Sequence, residues 1–207
     1  MQQNRRTNRQ RSDETRSSLI GAARRLLVAQ GYAATSTPQV AAEAGVSRGA
    51  LYHQFEDKQA LFRAVIEAEA EAVAEAVDAS SPSTGTALDR LIAGARGYMQ
   101  AMRLSGRCQL LLVDAPAVLG PAQMREIDLL NGGRTLVAGL TEAAPAAEPA
   151  KVFAVADLLS AAFDRAALAI EQGAGIEVTE DAIATILLAT VENLAVGHRD
   201  SLKGATT

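Results

Sequence analysis

Residues 37–55 read TPQVAAEAGVSRGALYHQF, two short helical patterns wrapped around a glycine. Thr37-Pro38 opens the first: a hydroxyl residue suits an N-cap, and proline is tolerated only in the first helical turn. The pattern runs from Gln39 to Ala44 and stops at Gly45, which suits a turn position that penalises a side chain. Ser47 then caps a second short helix, Arg48 to Gln54. Val40, Ala41, Val46, Leu51 and Phe55 are spaced to fill one small core, with Ala41 placed where two helices cross closely. Arg48, Gly49, Ala50, Tyr52 and His53 are left facing away from it. A helix pair of this kind presents its second helix to the major groove of a duplex.

Outward from this stretch, the pattern is helical nearly everywhere. Before it, Leu19, Ile20, Ala23, Leu26 and Leu27 recur at spacings of three and four between Ser12, read as an N-cap, and Gln30. After it, Asp57 caps a long helix to about Ala79, and Ser80-Ser81-Pro82-Ser83 reads as a linker. Further helices are expected over 86–104, 122–142, 150–172 and 180–196. A short apolar segment is read at 108–113, a proline-bracketed turn at 114–121 and a loop at 143–149. No strand and no internal repeat is evident. The expectation is an all-α chain of about nine helices. Residues 1–12 are read as a disordered basic arm, 13–60 as a helix-turn-helix domain and 61–207 as a second helical domain.

Composition agrees. The chain has 207 residues, 48% hydrophobic and only 3% aromatic, with one Cys. Sheets lean on β-branched and aromatic residues, so this balance favours helices. A single Cys excludes an internal disulfide framework. No apolar run reaches the roughly 18 residues of a membrane helix, and Val152 to Phe163 is broken by Asp157. The arginine-rich N-terminus lacks the apolar stretch of a secretory signal, so a cytoplasmic protein without membrane contact is expected. The net charge of -4 is unevenly spread: residues 1–65 carry 10 Lys and Arg against 5 Asp and Glu, the remainder 10 against 19. A basic first third on an acidic remainder points to a polyanion meeting only the first part. The plainer reading is a solvated tail, since Arg5, Arg6, Arg9 and Arg11 supply four of those charges.

The combination of Thr37, Val40, Ala41, Ala44, Gly45, Val46, Ser47, Gly49, Leu51, Tyr52, Phe55, Lys58 and Leu61 resembles the DNA-binding domain of TetR-type (TetR/AcrR) transcriptional regulators, over about residues 13–66. LLLVDAPAVLG at 110–120 is also similar to a stretch in one subgroup of that family. The resemblance implies a homodimer on a near-palindromic double-stranded operator, usually repressing, released by a small-molecule effector bound in the second domain. Thr37 and Ser47, at helix N-termini, are phosphate contacts as well as caps. Gln39 joins them as a candidate. Arg48 reaches a guanine edge or a phosphate, and Gly49 and Ala50 permit close approach. Tyr52 and His53 are read as phosphate contacts, and Lys58 carries over as another. The arginine arm is a further phosphate or minor-groove candidate.

In the second domain, Leu159, Phe163 and Ala166 on one helix and Ile186, Thr190 and Asn193 on another are candidates for a dimer interface, a four-helix bundle by resemblance. The alternative is that these faces bury within one monomer. Tyr98, Met99 and Met102 suit an adaptable apolar ligand lining. Arg134 and Asp157 fall in apolar sequence and need partners, each other, Asp114 or a polar ligand. Cys108 reads as a packed thiol, with a ligand contact or redox sensing as alternatives. No cofactor or metal is called for. Two His, one Cys, no Gly-rich phosphate loop and no Glu-x-x-His pair argue against an enzyme. The competing readings are a helical module whose basic face binds an acidic protein, and a regulator with no small-molecule inducer. The helix after residue 57 links the two domains and is the expected route for an effector to alter operator affinity.

Overall fold

The computed structural model describes residues 8–82 and 84–203. Among them are ten α-helices, one π-helical segment and no strand. The helices are α1 (Asn8–Ala34), α2 (Thr37–Glu43), α3 (Arg48–Gln54), α4 (Lys58–Ser80), α5 (Ala87–Met102), α6 (Ala115–Leu119), α7 (Pro121–Leu130), α8 (Gly132–Ala143), α9 (Pro149–Glu171) and α10 (Ile176–Lys203), with the π-helical turn at Gln109–Asp114. No described helix is long and apolar enough to cross a membrane.

The chain divides into two compact units. Of the described residues, the first holds those up to 69 and 109–121, the second those of 70–108 and those from 122 on. The division falls inside α4 rather than after residue 60, because Leu61, Phe62, Val65 and Ile66 are buried with the first unit's core. That core joins them to Leu19, Ala23 and Leu27 of α1, Val40 and Ala41 of α2, and Leu51 and Phe55. Residues 109–121 return to pack Leu110, Leu111 and Ala115 in the same unit, against α1. Glu69, buried near its base, is held by Arg24 through Nε–Oε1 at 2.8 Å and Nη2–Oε2 at 3.3 Å.

Several boundaries differ from expectation. Asn8–Ser12, read as part of a disordered arm, begin α1, and Ser12 is not its cap but accepts a hydrogen bond from Gln54 Nε2 at 2.8 Å. Residues 1–7, which hold Arg5 and Arg6 of the arm, lie outside the described residues. The N-cap of α2 is Ser36, not Thr37. Gln39 Oε1 accepts from Ser36 N at 2.9 Å and from its hydroxyl at 2.7 Å, a capping box. Residues 115–119, read as a turn, make one helical turn, since Pro116 sits in its first turn and Gly120 ends it at φ 80°. The expected 122–142 helix is two helices. Asn131 adopts φ -119°, ψ -110°, and the following Gly132-Gly133 lets the chain pass Asp128, whose carbonyl lies 3.0 Å from where a Gly133 Cβ would stand.

The second unit packs α5 against α8, α9 and α10, and α8 against α9. Small residues set the crossings. A Cβ on Gly97 would stand 2.8 Å from Ser80 Cβ and 3.2 Å from the Ala76 carbonyl, so α5 touches α4 backbone to backbone there. Thr86 and Asp89 form a second capping box, Thr86 N and Oγ1 donating to Asp89 Oδ2 at 2.9 and 2.8 Å. Those bonds hold the Asp89 carboxyl below its usual range.

Candidate functional site

The first candidate is the face of α3. The turn before it is closed by a Schellman motif: Val46 N donates to Ala41 O at 3.0 Å and Gly45 N to Ala42 O at 3.1 Å, with Gly45 at φ 68°. Ser47 caps α3 by accepting from Ala50 N at 3.1 Å. Because Leu51 and Phe55 are pinned in the core, the opposite side faces outward: Arg48, Gly49 and His53 are exposed, Tyr52 is 54% exposed and Ala50 is half-buried. Thr37, at the start of α2, lies 3.0 Å from the Tyr52 hydroxyl, so the two helices are tied at their outward edge. Gln39 is exposed but its carbonyl oxygen is committed to Ser36, which leaves its amide as the outward donor. Lys58 lies against its own unit, with Nζ 4.1 Å above the Tyr32 ring and 3.4 Å from the Ala33 carbonyl. The candidates at 37, 39, 47–50, 52, 53 and 58 thus belong to one unit built on a common core. Tyr32 was not foreseen: burial, then the charge of Asp57, raises its phenol, and its ring packs edge-on to Phe62 at 4.8 Å.

The second candidate is a cavity of about 270 Å³ inside the second unit. Val77, Leu91, Leu136 and Phe163 make apolar walls, and Asp128, Tyr98 and Ser160 bring polar groups to it. Tyr98 donates its hydroxyl to Asp164 Oδ1 at 2.5 Å, and Ser160 donates to Asp128 Oδ1 at 3.5 Å. Burial, then the neighbouring charge of Asp164, raises the Asp128 carboxyl, against the Ser160 bond, which lowers it. Burial also raises Asp164, opposed by the Tyr98 bond. Tyr98 itself is pushed well up, first by burial and then by Asp164. Arg90 and Glu142 pair across α5 and α8 at the lining, and Arg90 also donates to Gly85 O at 2.8 Å.

The ligand candidates fare unevenly. Tyr98 lines this cavity. Met99, Met102 and Cys108 are buried in the second unit but do not line it. Burial, then Glu171, pushes the Cys108 thiol up to about 11, and its Sγ donates to Met102 O at 3.4 Å. Asp114 belongs to the first unit and accepts from Gln109 Nε2 at 2.7 Å. Arg134 is exposed, because the break at Asn131 resets the helical phase on which its apolar-face reading depended. Asp157 is also exposed, and its neighbour is Arg125, at 3.7 Å, not Arg134. Asp128, Asp164 and Ser160 were missed: no linear spacing joins residues on α7 and α9.

The dimer candidates also separate. Leu159, Phe163 and Ala166 are buried within the chain itself, and Phe163 walls the cavity. Ile186 and Asn193 are exposed and Thr190 half-buried. The large apolar residues exposed on α9 are Phe153, at 55%, and Leu158, at 72%.

Residues 19–65 match the family described as bacterial regulatory proteins, tetR family, and residues 88–195 match the tetracyclin repressor-like C-terminal domain. The HTH-type transcriptional regulator AcrR of Shigella flexneri is 42% identical over 62 residues, 30% of this chain and 29% of that protein. A TetR-family regulator of Streptomyces coelicolor has a similar structure, with TM-score 0.68 and 21% identity over 88% of this chain and 97% of that one. Another, from Pectobacterium atrosepticum, has TM-score 0.59 and 28% identity over 93% and 97%. With the C-terminal match alone spanning more than half of its length, the chain belongs to the TetR family.

Proposed function

We propose that this chain is a homodimeric DNA-binding transcriptional regulator of the cytoplasm, a repressor that leaves a palindromic operator when a small molecule enters the second unit. The observation that carries the reading is the outward face of α3, with Arg48, Gly49, Tyr52 and His53 exposed around the buried Leu51. A seven-residue helix with a bare Gly49 and half-buried Ala50 can approach base edges closely, while Arg48 supplies a donor fork for guanine or phosphate. Thr37, Gln39, Ser47, Tyr52, His53 and Lys58 are assigned the backbone contacts that set register. Arg9 and Arg11, at the start of α1, extend the basic surface. No catalysis is assigned to the chain.

The dimer is assigned to the exposed apolar face of α9 and α10, where Phe153, Leu158 and Ile186 lie uncovered. Two copies give the two half-site readers that a palindrome requires. Selection of bound sequences from a random duplex library tests the reading. A recovered palindrome supports it. No enrichment at low salt, with a folded dimer present, rejects it in favour of a helical protein-interaction module. Each phosphate neutralised by the basic surface adds about 0.9 to the log–log salt slope.

A further inference from the structure

We propose that the cavity of the second unit takes a compact, largely apolar cation, its charge set against Asp128 and its hydrocarbon against Phe163, Leu91 and Val77. This rests on the reading of that cavity as the effector site and adds the chemical class of the effector. The polar groups at the cavity decide the sign. The hydroxyl donors are already used: Tyr98 on Asp164 at 2.5 Å, Ser160 on Asp128 at 3.5 Å, Thr135 on Asp78 at 3.5 Å and Ser81 on the Val77 carbonyl at 3.3 Å. Arg90, the basic side chain among the described lining residues, is occupied by Glu142 and the Gly85 carbonyl. An entering anion meets acceptors and must first displace Glu142 to gain a cation. An entering cation meets the free lone pairs of Asp128, with Asp164 one hydroxyl behind Tyr98.

The electrostatics of Asp128 agree with that geometry. Burial raises it first, Asp164 and Asp157 add to the rise, and Ser160 and Arg125 oppose it. A carboxylate so placed lacks the solvation it has in water; Ser160 and Arg125 offset that only in part, and a ligand cation supplies further compensation. The volume, about 270 Å³, lies just below the roughly 300–1,000 Å³ of small-molecule pockets, which favours a two- or three-ring molecule over a long chain.

Fluorescence titration of the full chain with three tricyclic probes of one shape tests the class: N-methylacridinium, a fixed cation; anthracene-9-methanol, neutral; and anthracene-9-carboxylate, an anion. The cation is expected to bind at least tenfold more tightly than the neutral probe, and the anion most weakly. Asp128→Asn brings the cation to the neutral probe's affinity and leaves the neutral probe unchanged, which also reports an intact cavity. Should that variant misfold, the wild-type protein still decides. Lowering the pH from 8 into the acid range raises the protonated fraction of Asp128, whose carboxyl lies above its ordinary value, and weakens the cation while the neutral probe stays level. Equal or tighter binding of the neutral or anionic probe overturns the proposal, as does a cation preference that survives both Asp128→Asn and acid. No probe binding, with a palindrome still recovered from the duplex library, overturns the cation cavity and leaves the DNA-binding reading standing. Tight, Asp128-dependent cation binding that leaves duplex affinity unchanged supports the ligand class and rejects effector release.

Discussion

The outward face of α3 and the cavity of the second unit are built by opposite logic. On α3 the functional side chains are neighbours in sequence, and one short helix sorts them: Leu51 inward, Arg48 and Tyr52 outward. In the cavity they come from separate helices, Tyr98 on α5, Asp128 on α7 and Ser160 on α9, and only helix crossings bring them together. The first kind of site is written in a period, the second in packing. The difference has consequences that mutation separates.

The largest expected effect falls on the α3 core. Leu51 is fully buried and α3 packs on α1 and α2, so Leu51→Ala is expected to cost about 2–5 kcal/mol of stability. Urea denaturation measures that, and duplex binding falls with it because the face loses its support. Arg48→Ala separates the face from its support. It is expected to leave the urea midpoint within error and to cost about 1–3 kcal/mol in duplex binding, with relaxed preference at one base position if Arg48 reads a guanine. A stable Leu51→Ala or an unstable Arg48→Ala breaks the division of labour drawn for this helix.

Next come the crossings that form the second unit. Gly97→Ala places a Cβ 2.8 Å from Ser80 Cβ and 3.2 Å from a backbone carbonyl, neither of which swings aside, and is expected to cost about 1–3 kcal/mol. Gly139→Ala meets instead the tip of Leu91, Cδ2 at 2.6 Å, and a side-chain tip can change rotamer. Its cost in a thermal melt is expected to be smaller than that of Gly97→Ala. Its cost in cavity binding is expected to be larger, since Leu91 and Gly139 both line the cavity and Gly97 does not. The reverse order in either assay refutes the packing account of this unit.

The same contrast explains what could be read in advance. The bounds of α3 follow from Ser47, the caps and the alternation of Leu51 and Phe55 with exposed residues, all local signals. The cap of α2 was misassigned because Ser36 and Thr37 are adjacent hydroxyl residues. The deciding signal, Gln39 three residues after Ser36, is a capping-box spacing and was present. Arg134 was misplaced for a phase reason: its apolar face assumed one helix over 122–142, and Asn131-Gly132-Gly133 breaks it. Asp157 was misplaced because an apolar run does not say which face is buried, and the exposed side of α9 is itself apolar at Phe153 and Leu158. Asp128 and Asp164 had no linear signal, since each sits in an ordinary helical sequence and gains its character first from burial by neighbouring helices.

The smallest effect expected tests that last point through pH. Asp128 and Asp164 both have raised carboxyl values in the folded chain, burial being the first cause for each. Each binds its proton more tightly folded than unfolded, where the ordinary value is about 3.9. Between that value and the raised one the native state holds more protons than the unfolded state. Stability contributed by these groups is therefore greatest in acid and declines as pH rises through that window, reaching its floor once both are ionised in the folded chain. Carboxylates held below their usual range, such as Asp89, act in the opposite direction at lower pH, so the whole-protein curve mixes both. Asp128→Asn isolates one contribution, because asparagine can keep the Ser160 bond and cannot ionise. Urea midpoints of wild type and variant, compared from pH 4 to pH 7, should diverge in the variant's favour as pH rises. Parallel curves mean that Asp128 titrates as it does in the unfolded chain, and the cavity then lacks the desolvated carboxylate that sets it apart from the solvent-facing groups of α3.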